Sequence, residues 1–256
     1  MWIDHVTLAG PSLHSLREDL LAAGIPTEYG GVHSNGITHM ALAAFGDGSY
    51  LELVSPLQAR GRVALWSDYL LSESGGTAWT AASEDIEAEF RTARAHGIAS
   101  KGPVTIRREK PNGEVGVWEL GYFGEKQPGG TLPFLIQDLT PRSVRAEPGK
   151  TFAGWSAIVL AVRDKAEAAD DFMRLYGWGQ PEVLDGLAHF PGTPIYLASP
   201  VAHLRKFGES PYAVVLGAPD REYPFRTSGS SQLAGKTIRW LDLHCSHLRI
   251  GLETSR

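Results

Sequence analysis

Three stretches of the chain share one pattern, and this internal repeat constrains the fold more than any other feature of the sequence. Each stretch opens with a short apolar run and continues into a segment of helical character. Each then closes on a glycine of the kind that ends helices, at Gly24, Gly97 and Gly177. The repeat predicts three copies of one strand–helix module.

Strand-like runs follow each predicted helix. In the first copy two such runs flank Gly46-Asp47-Gly48, and in the second two runs flank Asn112-Gly113. Both sequences are typical of tight hairpins. A glycine followed by a hydroxyl residue then starts the last strand of each copy, at Gly48-Ser49, Gly130-Thr131 and Gly192-Thr193. We therefore expect an α+β fold of tandem βαβββ modules.

The patterns also set the expected boundaries. The first two units span residues 2–56 and 76–138 and together form a domain of residues 1–145. A third, degenerate unit spans 150–220, and residues 221–256 are a tail of uncertain structure. The strands predicted for the third unit are Glu182–Phe190, Pro194–Ala198 and Tyr212–Leu216. A short amphipathic helix around Val63–Leu71 is expected between the first two units.

Composition excludes several classes of protein. The 256 residues include 24 Lys plus Arg against 29 Asp plus Glu, a net charge of −5, and no concentrated basic segment, so we expect no nucleic-acid partner. The apolar runs are too short to span a bilayer, so no membrane association is expected. The single cysteine excludes an internal disulfide, and the amino terminus lacks the features of a signal peptide. A cytoplasmic location is the expectation.

Five segments of the sequence together resemble the vicinal oxygen chelate superfamily, and its glyoxalase-like domain group in particular. They are Ile3-Asp4-His5-Val6, Thr38-His39-Met40-Ala41-Leu42, Gly46–Leu53, Leu132–Gln137 and Leu175–Trp178. The resemblance implies that two units curl together around an open cleft. It also implies a divalent metal (Zn, Ni, Mn or Fe), held by a histidine from the first strand and a glutamate from the last strand of each unit. Such a site acts on a small-molecule substrate.

His5 and Glu52 match the metal ligands of the first unit in this resemblance. Strand alternation places Ile3, His5 and Thr7 on one face. Glu52 lies in an apolar strand, where an unpaired buried carboxylate would be costly and therefore needs a partner. We predict His5 as a metal ligand and Glu52 as a ligand and catalytic residue. The alternatives are a structural histidine and a glutamate that faces solvent.

The second unit departs from the superfamily pattern. The position equivalent to His5 falls at Ala78 or Trp79, neither of which can bind a metal. The position equivalent to Glu52 falls at Phe134 or Gln137. Gln137 is the candidate third ligand and a candidate substrate contact, and the four-ligand site of the resemblance is incomplete.

Two further histidines lie near the expected cleft. Antiparallel pairing about the Asp47-Gly48 turn places His39 opposite residue 55, about three residues from Glu52. We predict His39 as a substrate contact or general base, with cross-strand packing as the alternative. His33, in a glycine-rich loop, is either a gate at the rim of the cleft or an ordinary surface histidine.

Aromatic residues are enriched in the second unit. Trp79, Trp118 and Phe134 are expected to form a cleft wall suited to a planar or apolar substrate, with core packing as the alternative. The charged run Ile106–Lys110, before the Asn-Gly turn, is expected to be a solvated hairpin face.

Two functions remain open at this point, beside a structural remnant whose cleft is filled by its own side chains. The first is a divalent-metal-dependent lyase, isomerase or dioxygenase-type enzyme with an incomplete metal site. The alternative is a metal-free protein that binds or sequesters a small aromatic or hydrophobic molecule. A homodimer is also expected, because a third unit would leave one sheet without an internal partner.

Overall fold

The computed structural model of the protein describes residues 1–58, 66–125, 127–217 and 225–254. The strands within these residues are β1 (Trp2–Ala9), β2 (Glu28–Val32), β3 (Thr38–Ala44), β4 (Tyr50–Pro56), β5 (Gly75–Ala82), β6 (Ser100–Glu109), β7 (Val115–Phe123), β8 (Phe134–Asp138), β9 (Trp155–Ala161), β10 (Glu182–Leu184), β11 (Leu187–His189), β12 (Ile195–Ala198), β13 (Ser210–Leu216), β14 (Thr227–Leu233), β15 (Lys236–Leu241) and β16 (Arg249–Glu253). The helices are α1 (Leu13–Ala22), α2 (Ser67–Leu71), α3 (Ile86–Ala95), α4 (Arg142–Arg145), α5 (Lys165–Tyr176) and α6 (Val201–Phe207).

The first eight strands form one sheet, in the order β2-β3-β4-β1-β5-β8-β7-β6. The two units meet where β1 runs antiparallel to β5. Within each unit the first strand is parallel to the last, since β1 pairs with β4 and β5 pairs with β8. The predicted α+β fold of tandem βαβββ modules is therefore confirmed.

The second sheet has the order β10-β11-β12-β9-β13-β16-β15-β14. The run Glu182–Phe190, predicted as one strand, is the hairpin β10–β11. The reason is the turn at Asp185 and Gly186, whose φ angles of 51° and 79° fit a tight type I′ hairpin. Consequently β12 ends the third unit, and β13 begins a further set of four strands to which the tail contributes β14, β15 and β16.

This arrangement removes the sequence argument for a homodimer. The third unit finds its partner within the chain, because β13 pairs antiparallel with β9 as β5 does with β1. The oligomeric state itself, like the domain boundaries drawn from sequence, stays a prediction. Of the helix expected around Val63–Leu71, residues 63–65 lie outside the described residues, and the described part forms α2.

Helix α5 illustrates how the repeat encodes its helices. The Asp164 side chain accepts hydrogen bonds from the Ala166 and Glu167 amides at the start of the helix, and Gly177 ends it with φ of 66°. Its buried Phe172 ring stacks against Trp79 of the first sheet at 6.2 Å, so the helix packs against both sheets. In the ranges that the structure covers, no helix is long and apolar enough to cross a membrane.

Gly76 marks the close approach of the two sheets, where β5 contacts β13. A Cβ atom at this position would lie 2.4 Å from the backbone oxygen of Pro211. We expect Gly76→Ala to lower the free energy of unfolding by about 1–3 kcal/mol, because backbone atoms must shift to relieve the overlap. Urea unfolding checks this, with Gly179→Ala as the control, since a Cβ at Gly179 meets nothing within 4 Å. Equal midpoints for the two variants would contradict the expectation.

Candidate functional site

One cavity of about 370 Å³ lies against the first sheet. It is on the face opposite to the one that packs against helix α1. One part of its lining is polar and is formed by His5, Thr7, His33, Glu52 and Thr80. Another part is apolar and aromatic and is formed by Trp66, Trp118, Leu120, Phe134 and Ile136. Such a division of polar and apolar walls is typical of small-molecule sites.

Strand register brings His5 and Glu52 to the same place. β1 pairs in parallel with β4, so that Thr7 lies beside Glu52. Strand alternation turns His5, Thr7 and Glu52 toward the cavity while their apolar neighbours enter the core. The distance from His5 Nε2 to Glu52 Oε2 is 3.8 Å.

The Glu52 carboxylate is an ionised group that the protein holds with several partners. The Thr7 hydroxyl donates to Oε2 at 3.1 Å, and His33 Nε2 lies 3.4 Å from Oε1. Burial by itself would raise the pKa of Glu52, but the hydrogen bond from His33 and the nearby His5 lower this pKa to about 2. The loop residue His33 is therefore part of the polar cluster, with its Nδ1 2.8 Å from the Thr38 hydroxyl.

His5 is held in one orientation by three groups. Its Nδ1 lies 2.6 Å from Asp4 Oδ1, its Nε2 lies 3.1 Å from the Thr80 hydroxyl, and its ring stacks on Tyr50 at 4.7 Å. The contact between neighbouring residues of one strand arises at a bulge, because the β1–β5 register shifts between Ile3 and His5. The carboxylate partner assigns the proton to Nδ1 and leaves the lone pair on Nε2.

Asp4 is fully buried and belongs to an ion-pair cluster beneath His5. The Arg145 guanidinium donates to both of its carboxylate oxygens, at 2.9 and 2.7 Å, and Arg142 also contacts it. Burial would raise the pKa of Asp4, but Arg145 and His5 hold it well below its ordinary value. Arg145 in turn donates to the Tyr50 hydroxyl and to Asp138. Sequence reasoning missed this cluster, because the bulge at Asp4 and the pairing with α4 are tertiary features.

Arg108 corrects the expectation that Ile106–Lys110 is a solvated hairpin face. Its neighbour Arg107 is exposed, but Arg108 is only 6% exposed and lines the cavity. The guanidinium donates to the Met40 sulfur and to the Arg145 carbonyl oxygen, both at 3.2 Å, and lies over the Trp118 ring. Arg108 is the single buried residue of β6, so no alternation of buried and exposed positions along this strand indicates it.

The remaining predicted site residues divide into two groups. Trp118 and Phe134 line the cavity. Trp79 lies in the core and donates its indole N–H to the Thr131 carbonyl oxygen, and Gln137 accepts from the Ile86 amide at the start of α3. His39 pairs with Ser55, as the turn predicts, and packs against Tyr29 away from the cavity lining. Roles in binding or catalysis for these last three residues stay predictions.

The cavity offers an incomplete set of protein ligands for a divalent ion. His5 and Glu52 are close enough to share an ion, and their side-chain donor atoms also contact Thr80, Thr7 and His33. The cavity-facing residues of β8, Phe134 and Ile136, cannot bind metal. Across the described ranges, no three His, Cys, Asp or Glu residues are grouped so as to hold a metal ion.

Comparison with known proteins agrees with the architecture. The glyoxalase-like domain family matches residues 3–177, and the chain therefore belongs to this family, within the vicinal oxygen chelate superfamily. No curated protein sequence matches the chain.

Three solved structures are similar to the chain over 98–99% of its length. A hypothetical protein from Staphylococcus aureus has a TM-score of 0.67 at 16% identity, with 98% of its chain covered. The Mn(II)-bound glyoxalase from Novosphingobium aromaticivorans has a TM-score of 0.62 at 11% identity, with 81% covered. A mutant of 4-hydroxymandelate synthase from Streptomyces coelicolor has a TM-score of 0.60 at 8% identity, with 93% covered. At these identities the likeness concerns the fold.

Proposed function

We propose that this protein is a small-molecule enzyme that binds a planar, apolar substrate in the cavity and moves a proton on its polar end, as an isomerase or lyase does. The observation that carries the proposal is the Asp4–His5 pair, whose Nε2 lies at the polar end of an otherwise apolar cavity. A cavity that only sequesters a ligand has no need of an oriented imidazole.

His5 is the proposed general base. A base needs a free lone pair, a fixed tautomer and stabilisation of its charged form. Asp4 fixes the tautomer, and the ionised Glu52, 3.8 Å from Nε2, stabilises the imidazolium that forms. A substrate that enters this end of the cavity replaces the Thr80 hydroxyl as the partner of Nε2.

The proposed step is proton abstraction next to a carbonyl group. The C–H bond breaks, its electron pair moves into the enolate, and the proton forms a bond with His5 Nε2. The imidazolium then returns the proton to carbon to complete an isomerisation. Glu52 has a pKa of about 2, so it remains ionised at neutral pH and acts as the counter-charge rather than as the base.

A second candidate is a divalent-metal-dependent lyase, isomerase or dioxygenase-type enzyme that uses His5 and Glu52. One observation favours it: the hydrogen bond from Asp4 to His5 Nδ1 is the arrangement that orients histidine ligands in metal sites. Metal content of protein purified without a histidine tag separates the candidates. Stoichiometric metal, and activity that a chelator removes and Mn²⁺ restores, would favour the second candidate.

Binding and chemistry are tested with neutral probes. Titration with 2-naphthamide, followed by calorimetry, should reveal one site that Phe134→Ala weakens about tenfold, because aromatic contact area is lost. Tyr29→Ala, which removes an exposed ring outside the cavity, should leave the affinity unchanged. Absence of binding by both 2-naphthamide and naphthalene-2-carboxylate would contradict the assignment of the cavity.

Proton transfer is measured as deuterium uptake by phenylacetone in D₂O, followed by NMR. We expect the wild-type protein to accelerate exchange, and His5→Gln to lose at least about 100-fold of that rate, because no base remains. Glu52→Gln should lose a smaller factor. If 2-naphthamide binds and exchange equals that of buffer, the protein is the metal-free binding protein instead.

We further propose a reducing, cytoplasmic location, which the lone and exposed Cys245 supports.

A further inference from the structure

Arg108 is a buried cation for which the described part of the chain supplies no carboxylate. No Asp or Glu oxygen within those residues lies at ion-pair distance from its guanidinium. Among the described residues, its five N–H groups donate to the Met40 thioether and to the Arg145 carbonyl oxygen. A thioether is a weak acceptor, so little of the charge is compensated.

The neighbouring ion pairs do not supply the missing charge. The two carboxylates of that cluster, Asp4 and Asp138, form ion pairs with two guanidinium groups, those of Arg142 and Arg145. The cluster therefore has no excess negative charge. Glu52 lines the same cavity but pairs with the histidines at its polar end. Burial lowers the pKa of Arg108 from its ordinary value, and the opposing effects of the nearby Tyr50 and Glu52 do not offset it.

The guanidinium is placed to meet a ligand. Arg108 lines the 370 Å³ cavity together with Trp118, and its guanidinium carbon lies 5.5 Å from the centre of that ring. An arginine held by an aromatic wall presents a planar fork that matches a carboxylate bidentately. Removing such a charge from water without a partner is costly, and an anionic ligand would offset that cost.

We propose that the substrate of this cavity is an organic carboxylate, whose carboxylate binds Arg108 while its planar apolar body lies against Trp118 and Phe134. The proposal rests on the proposed function, because it names the class of molecule that the same cavity takes. Arg108 is thus a specificity-determining residue, and neutral molecules of the same shape bind more weakly.

A matched pair of probes tests the charge preference. Naphthalene-2-carboxylate and 2-naphthamide have the same ring system and nearly the same shape and differ in charge. In calorimetric titrations of the wild-type protein at pH 7.5, we expect the carboxylate to bind at least about tenfold more tightly. Arg108→Met should remove this preference by weakening only the carboxylate. Arg107→Met, which removes an exposed charge one residue away, is the control and should leave both affinities unchanged.

The other possible results of these titrations distinguish this proposal from the proposed function. Equal affinity of the two probes for the wild-type protein overturns this proposal and leaves the proposed function standing. If neither probe binds, both fall. Should Arg108→Met fail to fold, the wild-type comparison still decides, and Arg108→Lys, which keeps the charge but not the fork, should bind the carboxylate with intermediate affinity.

Arg108 also borders a second cavity of about 600 Å³, which contains Lys110 and Lys150 but not Phe134. Phe134→Ala separates the two locations. If Arg108→Met weakens carboxylate binding and Phe134→Ala does not, the anion lies in the second cavity and the proposal is wrong.

Discussion

Replacing Arg145 by methionine is expected to lower the free energy of unfolding by about 3–5 kcal/mol, the cost of leaving a buried charge without its partner. The Arg145 side chain is 2% exposed and donates to both oxygens of Asp4, to Asp138 and to the Tyr50 hydroxyl. Methionine retains most of the packing volume but none of these bonds. Arg142 still contacts Asp4, but it cannot replace the bidentate pair.

Denaturant unfolding at pH 7 measures this loss, and two variants control it. Arg174→Met removes the exposed pair with Asp171 and should change the free energy of unfolding by less than about 1 kcal/mol, as is usual for surface pairs. The double variant Asp4→Asn/Arg145→Met removes both charges. It should cost less than the sum of the two single variants, because neither charge is then stranded. A loss below 1 kcal/mol for Arg145→Met would show that water reaches Asp4.

The fold of the first half could be predicted from sequence because its signals are local. Alternating apolar residues, the closing glycines and the Asp-Gly and Asn-Gly turns each act over a few residues. The second half was harder to predict for the same reason. The Asp185-Gly186 turn divides the run Glu182–Phe190, which looks continuous in sequence, into the two strands β10 and β11.

The resemblance to the glyoxalase-like group is what indicates His5 and Glu52 from sequence, and the structure brings the two side chains within 3.8 Å of each other. Asp4 reaches His5 through a bulge, which reverses the expected side of the strand. Arg108 lies in a run of charges, where burial depends on the curl of the whole sheet. Side chains whose roles come from such tertiary contacts carry no distinctive local pattern.

Lowering the pH from 7.5 to 4.5 is expected to destabilise the protein through His203 by about 2–3 kcal/mol. The His203 ring is buried against Phe207 and Tyr212, and its Nε2 lies 2.8 Å from the Ser210 hydroxyl. Burial, with the charge of His247, lowers its pKa to about 4 in the folded protein. In the unfolded chain the pKa is about 6.5, so the unfolded state binds more protons between these two values. The stabilisation is complete above pH 6.5 and is lost as the pH falls toward 4.

Other groups also titrate in this range, so the measurement is a difference between variants. His203→Gln keeps a polar group near Ser210 but cannot be charged. Between pH 7.5 and 4.5 its free energy of unfolding should fall by about 2–3 kcal/mol less than that of the wild-type protein. His14→Gln, which removes an exposed histidine, should follow the wild-type curve. If the wild-type and His203→Gln curves remain parallel, His203 accepts a proton without leaving its site. The hydrogen bonds of Ser210 with His203 and Tyr69 would then persist in acid, and α6 would remain docked against α2.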